Sequence, residues 1–188
     1  MSLKQILDPK FGGAFQDEAN LLTRAVDLNL VGSILDPCCG AGTLVKEFRR
    51  MDLHITSNSS TREVAADFHK DDLSPETYRW FEKKIGLHAI VLAPVFTIID
   101  IMFPMCVLFA QQMVACLVPW NYISEAHAAR MSWLIELQEQ GRLHIVVGDA
   151  RSHVAKRRAM WIIVFASPVM KTRLLLTGPE GLSTIQLT

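Results

Sequence analysis

Apolar residues recur along this chain at two spacings, and the spacing changes in an orderly way. Between Asp17 and Asn29, with Leu30 just beyond, Ala19, Leu22, Ala25, Val26 and Leu30 fall at helical intervals, the mark of a helix with one buried stripe. Ser33-Ile34-Leu35-Asp36 is a short strand running into a turn, and Thr43 to Met51 is a second helix. Leu53 to Ser57 is a second strand, and Ala65 to His69 is a candidate third. Ser74-Pro75-Glu76 starts a helix, with proline in the first turn beside an acid, and Gly86 stops it after about Lys84. His88 to Leu92 is an apolar strand of the kind found in parallel sheets covered on both faces. Ile98 to Gln112 is a nearly all-apolar helix, and Val114 to Val118 is another buried strand. Ser124 is positioned to cap a helix reaching Gln140, with Gly141 as its stop. Leu143 to Val147 and Met160 to Ala166 read as strands separated by the polar stretch Asp149 to Arg158, and Leu174 to Leu187 adds a strand or packs as coil.

Strand and helix alternate about five times, and then two strands follow with no helix between them. Alternation of this kind predicts a doubly wound α/β sheet. The final pair, joined by a loop, predicts one antiparallel strand at the end of the sheet. No repeat or linker divides the chain, so the expectation is a single domain over 1–188, with a core at about 15–167 and a C-terminal extension at 168–188.

Composition narrows the picture. The chain has 188 residues, 50% of them apolar, and its 19 basic and 19 acidic side chains cancel. That excludes a disordered chain and a uniformly basic nucleic-acid binder. The cancellation is uneven, however. Arg142 to Arg173 carries seven basic residues and one acid, Asp149, whereas Asp17 to Asp36 carries more acid than base. From Ile85 to Ser124 the only charge is Asp100, but Pro104, Gln111-Gln112 and Pro119 cut the run into pieces shorter than a membrane span of about 20 residues. Cys38 and Cys39 are adjacent and poorly placed to pair, Cys106 and Cys116 lie in apolar runs, and no zinc spacing occurs. With no apolar run and cleavage site at the start, the expected setting is reducing and intracellular, cytoplasmic or nuclear.

Ligands of doubly wound sheets bind at the carboxyl ends of the strands where strand order reverses. The first strand ends in Asp36-Pro37-Cys38-Cys39-Gly40-Ala41-Gly42-Thr43. Its glycines allow a tight turn, but position 45 is Val, not the third glycine of a dinucleotide fingerprint, and no G-K-[ST] follows. A ligand-free strand–helix turn is the alternative reading of this loop.

These eight residues resemble the S-adenosylmethionine motif Asp-Pro-x-Cys-Gly-x-Gly-Thr of class I methyltransferases, and are most similar to the DNA methyltransferases that act on adenine N6. The resemblance covers roughly residues 15 to 167. It implies a Rossmann-like fold with a mostly parallel seven-stranded sheet and an antiparallel last strand. It also implies S-adenosylmethionine as cofactor, with Asp36, Pro37, Cys38, Gly40, Gly42 and Thr43 around its methionine part and Asp36 near the amino group. The acid that such enzymes carry after strand two to hold the ribose is absent, and Asn58 is the nearest candidate; Asp72, or second Asp71, is placed to meet the adenine amine.

The family's reactive motif, Asp/Asn/Ser-Pro-Pro-Tyr/Phe/Trp, follows the fourth expected strand. There the first side chain and the next backbone carbonyl accept both hydrogens of the target amine, and the ring stacks on the flipped base. This chain reads Ala93-Pro94-Val95-Phe96. Pro94 and Phe96 fit, but Ala93 carries no acceptor. Losing one such contact costs about 3–4 kcal/mol, so amine methylation is expected to be impaired or absent. Trp120 and Tyr122 lie at the same sheet edge and either stack a base or close the core over the apolar helix. Arg151, Lys156, Arg157 and Arg158 make the last loop basic, which suits either local phosphate contacts or a solvated hairpin. The apolar segment 98–109 is a candidate surface for a protein partner or a second copy. Two functions therefore compete: an adenine-N6-type nucleic-acid methyltransferase with impaired activity, and an inactive subunit of the same fold serving as a binding or structural module.

Overall fold

The structure is a computed structural model that describes residues 14–148, 159–168, 173–178 and 181–186. Its described helices are α1 (Ala14–Ala25), α2 (Thr43–Arg50), α3 (Pro75–Ile85), α4 (Ile99–Phe109), α5 (Asn121–Ser124) and α6 (Ala128–Glu139). The strands are β1 (Ile34–Asp36), β2 (Ile55–Ser57), β3 (Ala89–Leu92), β4 (Met113–Pro119), β5 (Leu143–Val147), β6 (Ala159–Phe165), β7 (Arg173–Gly178) and β8 (Gly181–Gln186). All eight join one sheet in the order β2-β1-β3-β4-β6-β5-β7-β8.

Strand β3 shows why the sheet is central. Its residues Ala89, Ile90, Val91 and Leu92 are all buried, and successive side chains leave on opposite faces. Ala89 and Val91 pack with Leu22 of α1 and with Val45 and Phe48 of α2. Ile90 and Leu92 pack with Tyr78 and Phe81 of α3, Met102 and Phe103 of α4 and Leu134 of α6. Two apolar cores thus sandwich one sheet, as the alternating pattern predicts. No helix among the described residues is long and apolar enough to cross a membrane.

Four expectations are corrected. The third strand at 65–69 contracts to one parallel bridge, Asn58 to Phe68, because polar residues around it are drawn into side-chain bonds with β2. Of the pair β5 and β6, the antiparallel strand is internal and not at the sheet's end. β6 is wedged between β4 and β5 and antiparallel to both. The tail forms two strands, with β7 parallel to β5 and β8 antiparallel to β7, so the sheet has eight strands rather than seven. Finally, Ser124 does not cap the long helix. It ends the short α5, and the Nδ1 of His127 instead accepts the N–H of Arg130 at the start of α6.

The largest buried side chain is Trp161 on β6, and its Nε1 donates to the Glu18 carbonyl of α1 at 2.8 Å. It joins the late strand to the first described helix by packing and by a hydrogen bond. Trp161→Ala is expected to cost about 3–5 kcal/mol, read as a lowered urea midpoint with an unchanged slope.

Candidate functional site

From β1 the chain moves to β2 on one side, then crosses back to β3 on the other. The carboxyl ends of β1 and β3 therefore diverge, and a crevice opens there. It holds a cavity of about 340 Å³, within the size range of small-molecule sites. Asp36, Cys38, Cys39, Gly40 and Thr43 form its floor, Ser59, Ser60, Thr61 and Asp72 line one side, and Ala93, Val95 and Ile98 line the other, with Phe15 also contributing.

The floor loop is built by backbone geometry. Gly40 and Gly42 have φ of 50° and 70°, values that disfavour any side chain. A Cβ at Gly40 would meet nothing within 4 Å, and one at Gly42 would lie 3.9 Å from the Ala65 carbonyl. The requirement for glycine is thus conformational, not one of space. The Gly42 N–H donates to the Cys39 carbonyl at 2.8 Å, and α2 starts at the next residue.

Asp36 is buried, and its carboxylate accepts the Cys38 N–H at 3.1 Å. Among the described residues no cationic side chain forms an ion pair with it. Burial raises its pKa from 3.8 to about 7, against the lowering effect of that hydrogen bond. Burial also pushes up the Cys38 thiol, helped by the negative Asp36, and lifts Cys39 to about 12. Both cysteines, like Cys106 and Cys116, are free. Burial raises the Asp72 carboxyl as well, and Ser60 Oγ donates to its Oδ2 at 3.4 Å.

Asn58 does not face the cavity. It is fully buried, and its Nδ2 donates to the carbonyls of Pro37 at 2.9 Å and Lys70 at 3.1 Å, while its Oδ1 accepts the Lys70 N–H at 3.0 Å. With its amide committed to those bonds, it braces the backbone behind the cavity. Ser59, Ser60 and Thr61, none of them a candidate from the sequence, line the cavity. Their signal was position: the three hydroxyl residues directly follow the second strand. Pro37 is buried beneath the floor as the brace's acceptor. Phe15 could not have been found from the glycine motif, since only the docking of α1 brings it there.

Beyond β3, Ala93 and Pro94 are half-buried, whereas Val95 and Phe96 are 46% and 51% exposed. Phe96 to Ile98 form a 3-10 turn leading into α4. Asp100, in the first turn of α4, receives Arg130 Nε at 2.7 Å and Nη2 at 2.5 Å, a two-pronged tie from α6. The same guanidinium lies 4.3 Å from the centre of the Tyr122 ring and donates to the Tyr122 carbonyl at 2.8 Å. Tyr122 is fully buried, so its ring closes the core and is not available to stack on a base. Trp120 is half-exposed, and its Nε1 donates to the Ala159 carbonyl at 2.8 Å, pinning β4 to β6. The basic residues Arg151, Lys156, Arg157 and Arg158 lie outside the described residues.

No family model and no curated protein matches this chain. Solved structures do. The methyltransferase subunit of a type I restriction-modification system from Streptococcus thermophilus superposes with a TM-score of 0.58 at 10% identity, over 92% of this chain and 49% of that one. A S-adenosylmethionine-dependent methyltransferase from Archaeoglobus fulgidus gives 0.56 at 10% identity, over 87% of this chain and all of that one. A predicted O-methyltransferase from Agrobacterium tumefaciens gives 0.54 at 12% identity, over 90% and 91%. The chain spans about half the length of the restriction subunit. It has the Rossmann-like fold of class I methyltransferases.

The raised Asp36 carboxyl sets a pH dependence. Its folded pKa, about 7, lies above the unfolded value of 3.8, so the fold favours the protonated form. That contribution is present in full below pH 3.8 and is lost as pH rises through about 7. The rise from 3.8 to about 7 corresponds to ~4 kcal/mol at most. Urea unfolding should find Asp36→Asn more stable than the parent protein at pH 8, with the difference shrinking towards pH 4.

Proposed function

We propose that the cavity binds S-adenosylmethionine and that the chain is a methyltransferase-like protein of the nucleic-acid adenine-N6 type with impaired amine methylation. The observation that carries this reading is the cavity itself. It opens at the reversal of strand order, over a glycine loop of the family's pattern, with a buried carboxylate in its floor. The cofactor's ammonium is the kind of partner Asp36 lacks among the described side chains. Ser59, Ser60 and Thr61 offer neutral hydroxyls to the ribose, and Asp72 offers a carboxyl to the adenine amine. Neutral contacts are about half as strong as charge-assisted ones, so affinity is expected to be modest. When bound, the cofactor supplies an electrophilic methyl group. The Pro94 carbonyl and the exposed Phe96 remain to receive a planar amine, and Ala93 leaves one of its hydrogens without an acceptor.

Calorimetric titration tests the first half of the proposal. Saturable S-adenosylmethionine binding that strengthens from pH 6 to pH 8, and that weakens at least tenfold in Asp36→Asn, supports it. No heat at millimolar ligand refutes it. For the second half, the Ala93→Asp, Val95→Pro double variant restores the family's reactive motif. It should methylate adenine-containing DNA or RNA at least ~10²-fold faster than the parent, and robust turnover by the parent itself would sink the claim of impairment.

A second reading, a binding module of the same fold, is favoured by one observation. On α4, Ile101 and Leu108 are 61% and 82% exposed, and a spacing of seven puts them on one face of the helix. This apolar face suits a protein partner or a second copy. Sedimentation velocity is expected to show association at micromolar protein that Ile101→Ser with Leu108→Ser abolishes.

A further inference from the structure

Resting on the cofactor reading above, we infer that the cavity separates the methyl donor from its spent product by charge, holding the sulfonium form more tightly than the neutral thioether. Two carboxyls line the cavity, Asp36 in its floor and Asp72 on one side. Asp36 is only 2% exposed. One of its oxygens accepts the Cys38 N–H, and the other has no hydrogen-bond partner among the described residues. Asp72 is half-buried and receives the 3.4 Å bond from Ser60 Oγ. Burial keeps the neighbouring Cys38 and Cys39 as neutral thiols. Among the described residues the lining includes no lysine, arginine or histidine. Lys70, just before Asp72, instead holds its ammonium 4.0 Å from the centre of the Trp80 ring.

The donor and the spent product share an adenosine, an ammonium and a carboxylate. They differ by one methyl group and by the positive charge of the sulfonium. A carboxylate taken out of water is stabilised when a cation enters beside it. At pH 8, above the Asp36 value of about 7, the floor carboxyl is ionised before any ligand arrives. The shared ammonium offsets one negative charge of the cavity, and only the donor carries a further positive charge to meet the second. A round cavity of 340 Å³ is about 9 Å across, so every atom of a ligand inside it lies close to both carboxyls. Over about 9 Å, at the effective dielectric of a partly buried site, one unit of charge is worth at least tenfold in affinity. The spent product then leaves readily, and the site refills with donor while product accumulates.

Calorimetric titration of the full chain at pH 8 reads this selection without turnover. Low salt keeps the charges unscreened. S-adenosylmethionine should bind at least tenfold more tightly than S-adenosylhomocysteine. Sinefungin, which has an ammonium in place of the sulfonium and no methyl to transfer, should bind within threefold of the donor. That separates charge from contact with the methyl group. Asp36→Asn and Asp72→Asn should each lower the donor-to-product ratio at least threefold. A merely structural loss would weaken both ligands alike and leave the ratio unchanged. Asp72→Asn lies away from the glycine loop and keeps the test open should Asp36→Asn fail to fold. Product binding as tight as the donor, sinefungin binding as weakly as the product, or an unchanged ratio in a folded variant each overturns the inference and leaves the cofactor reading standing. If neither donor nor product binds at millimolar concentration, the cofactor reading fails and takes the inference with it.

Discussion

The site depends on one buried amide. Asn58 joins two pieces of backbone to its own: the loop after β1 through the Pro37 carbonyl, and the segment before α3 through both the carbonyl and the N–H of Lys70. Its own backbone completes the brace, accepting the Cys39 N–H at 2.9 Å and donating to the Asp36 carbonyl at 2.8 Å. A buried polar group left without partners is costly, and one fully paired specifies its surroundings. Here the pairing sets the separation between the glycine loop and the Ser59–Thr61 wall, and so the width of the cavity. A carboxylate at this position could not donate to the two carbonyls, so bracing and ribose holding compete for the same residue.

How far the sequence reveals this depends on whether a feature is local. Strand β3 was legible because both of its faces are apolar, and α3 because Ser74, Pro75 and Gly86 mark its ends. The glycine loop was legible because positive φ at positions 40 and 42 demands particular residues. The position of Asn58 after β2 suggests a ligand role in the sequence, whereas its bonds to residues 37 and 70 exist only in three dimensions. The same holds for the wedge of β6 and for Phe15. For Tyr122 the sequence leaves open whether the ring stacks on a base or closes the core, and its burial beneath Arg130 of α6 decides for the core.

The carboxylates of the site are held in different ways, and the difference matters more than their number. Asp36 and Asp72 are raised by burial, whereas Asp100 is lowered by its bonds to Arg130. The first two retain the capacity to respond to a bound cation or amine. The third is already spent on structure: it ties the first turn of α4, immediately after the Ala93–Phe96 segment, to α6. The rim of the cavity is thereby anchored from behind while its exposed face stays apolar.

The wedge of β6 between β4 and β5 has a consequence for the order of events during folding. β4 pairs with β6 over seven residues, from Met113 opposite Phe165 to Pro119 opposite Ala159, so one edge of β4 stays bare until residues forty or more positions later arrive. Long-range pairings of this kind close slowly, and a bare apolar strand edge invites the wrong neighbour. During synthesis the chain therefore passes through a stage in which the half of the sheet that carries the cavity is complete in sequence while its open margin awaits a strand not yet made. Trp161, reaching back to Glu18, is then the latch that shuts the sheet against the first described helix.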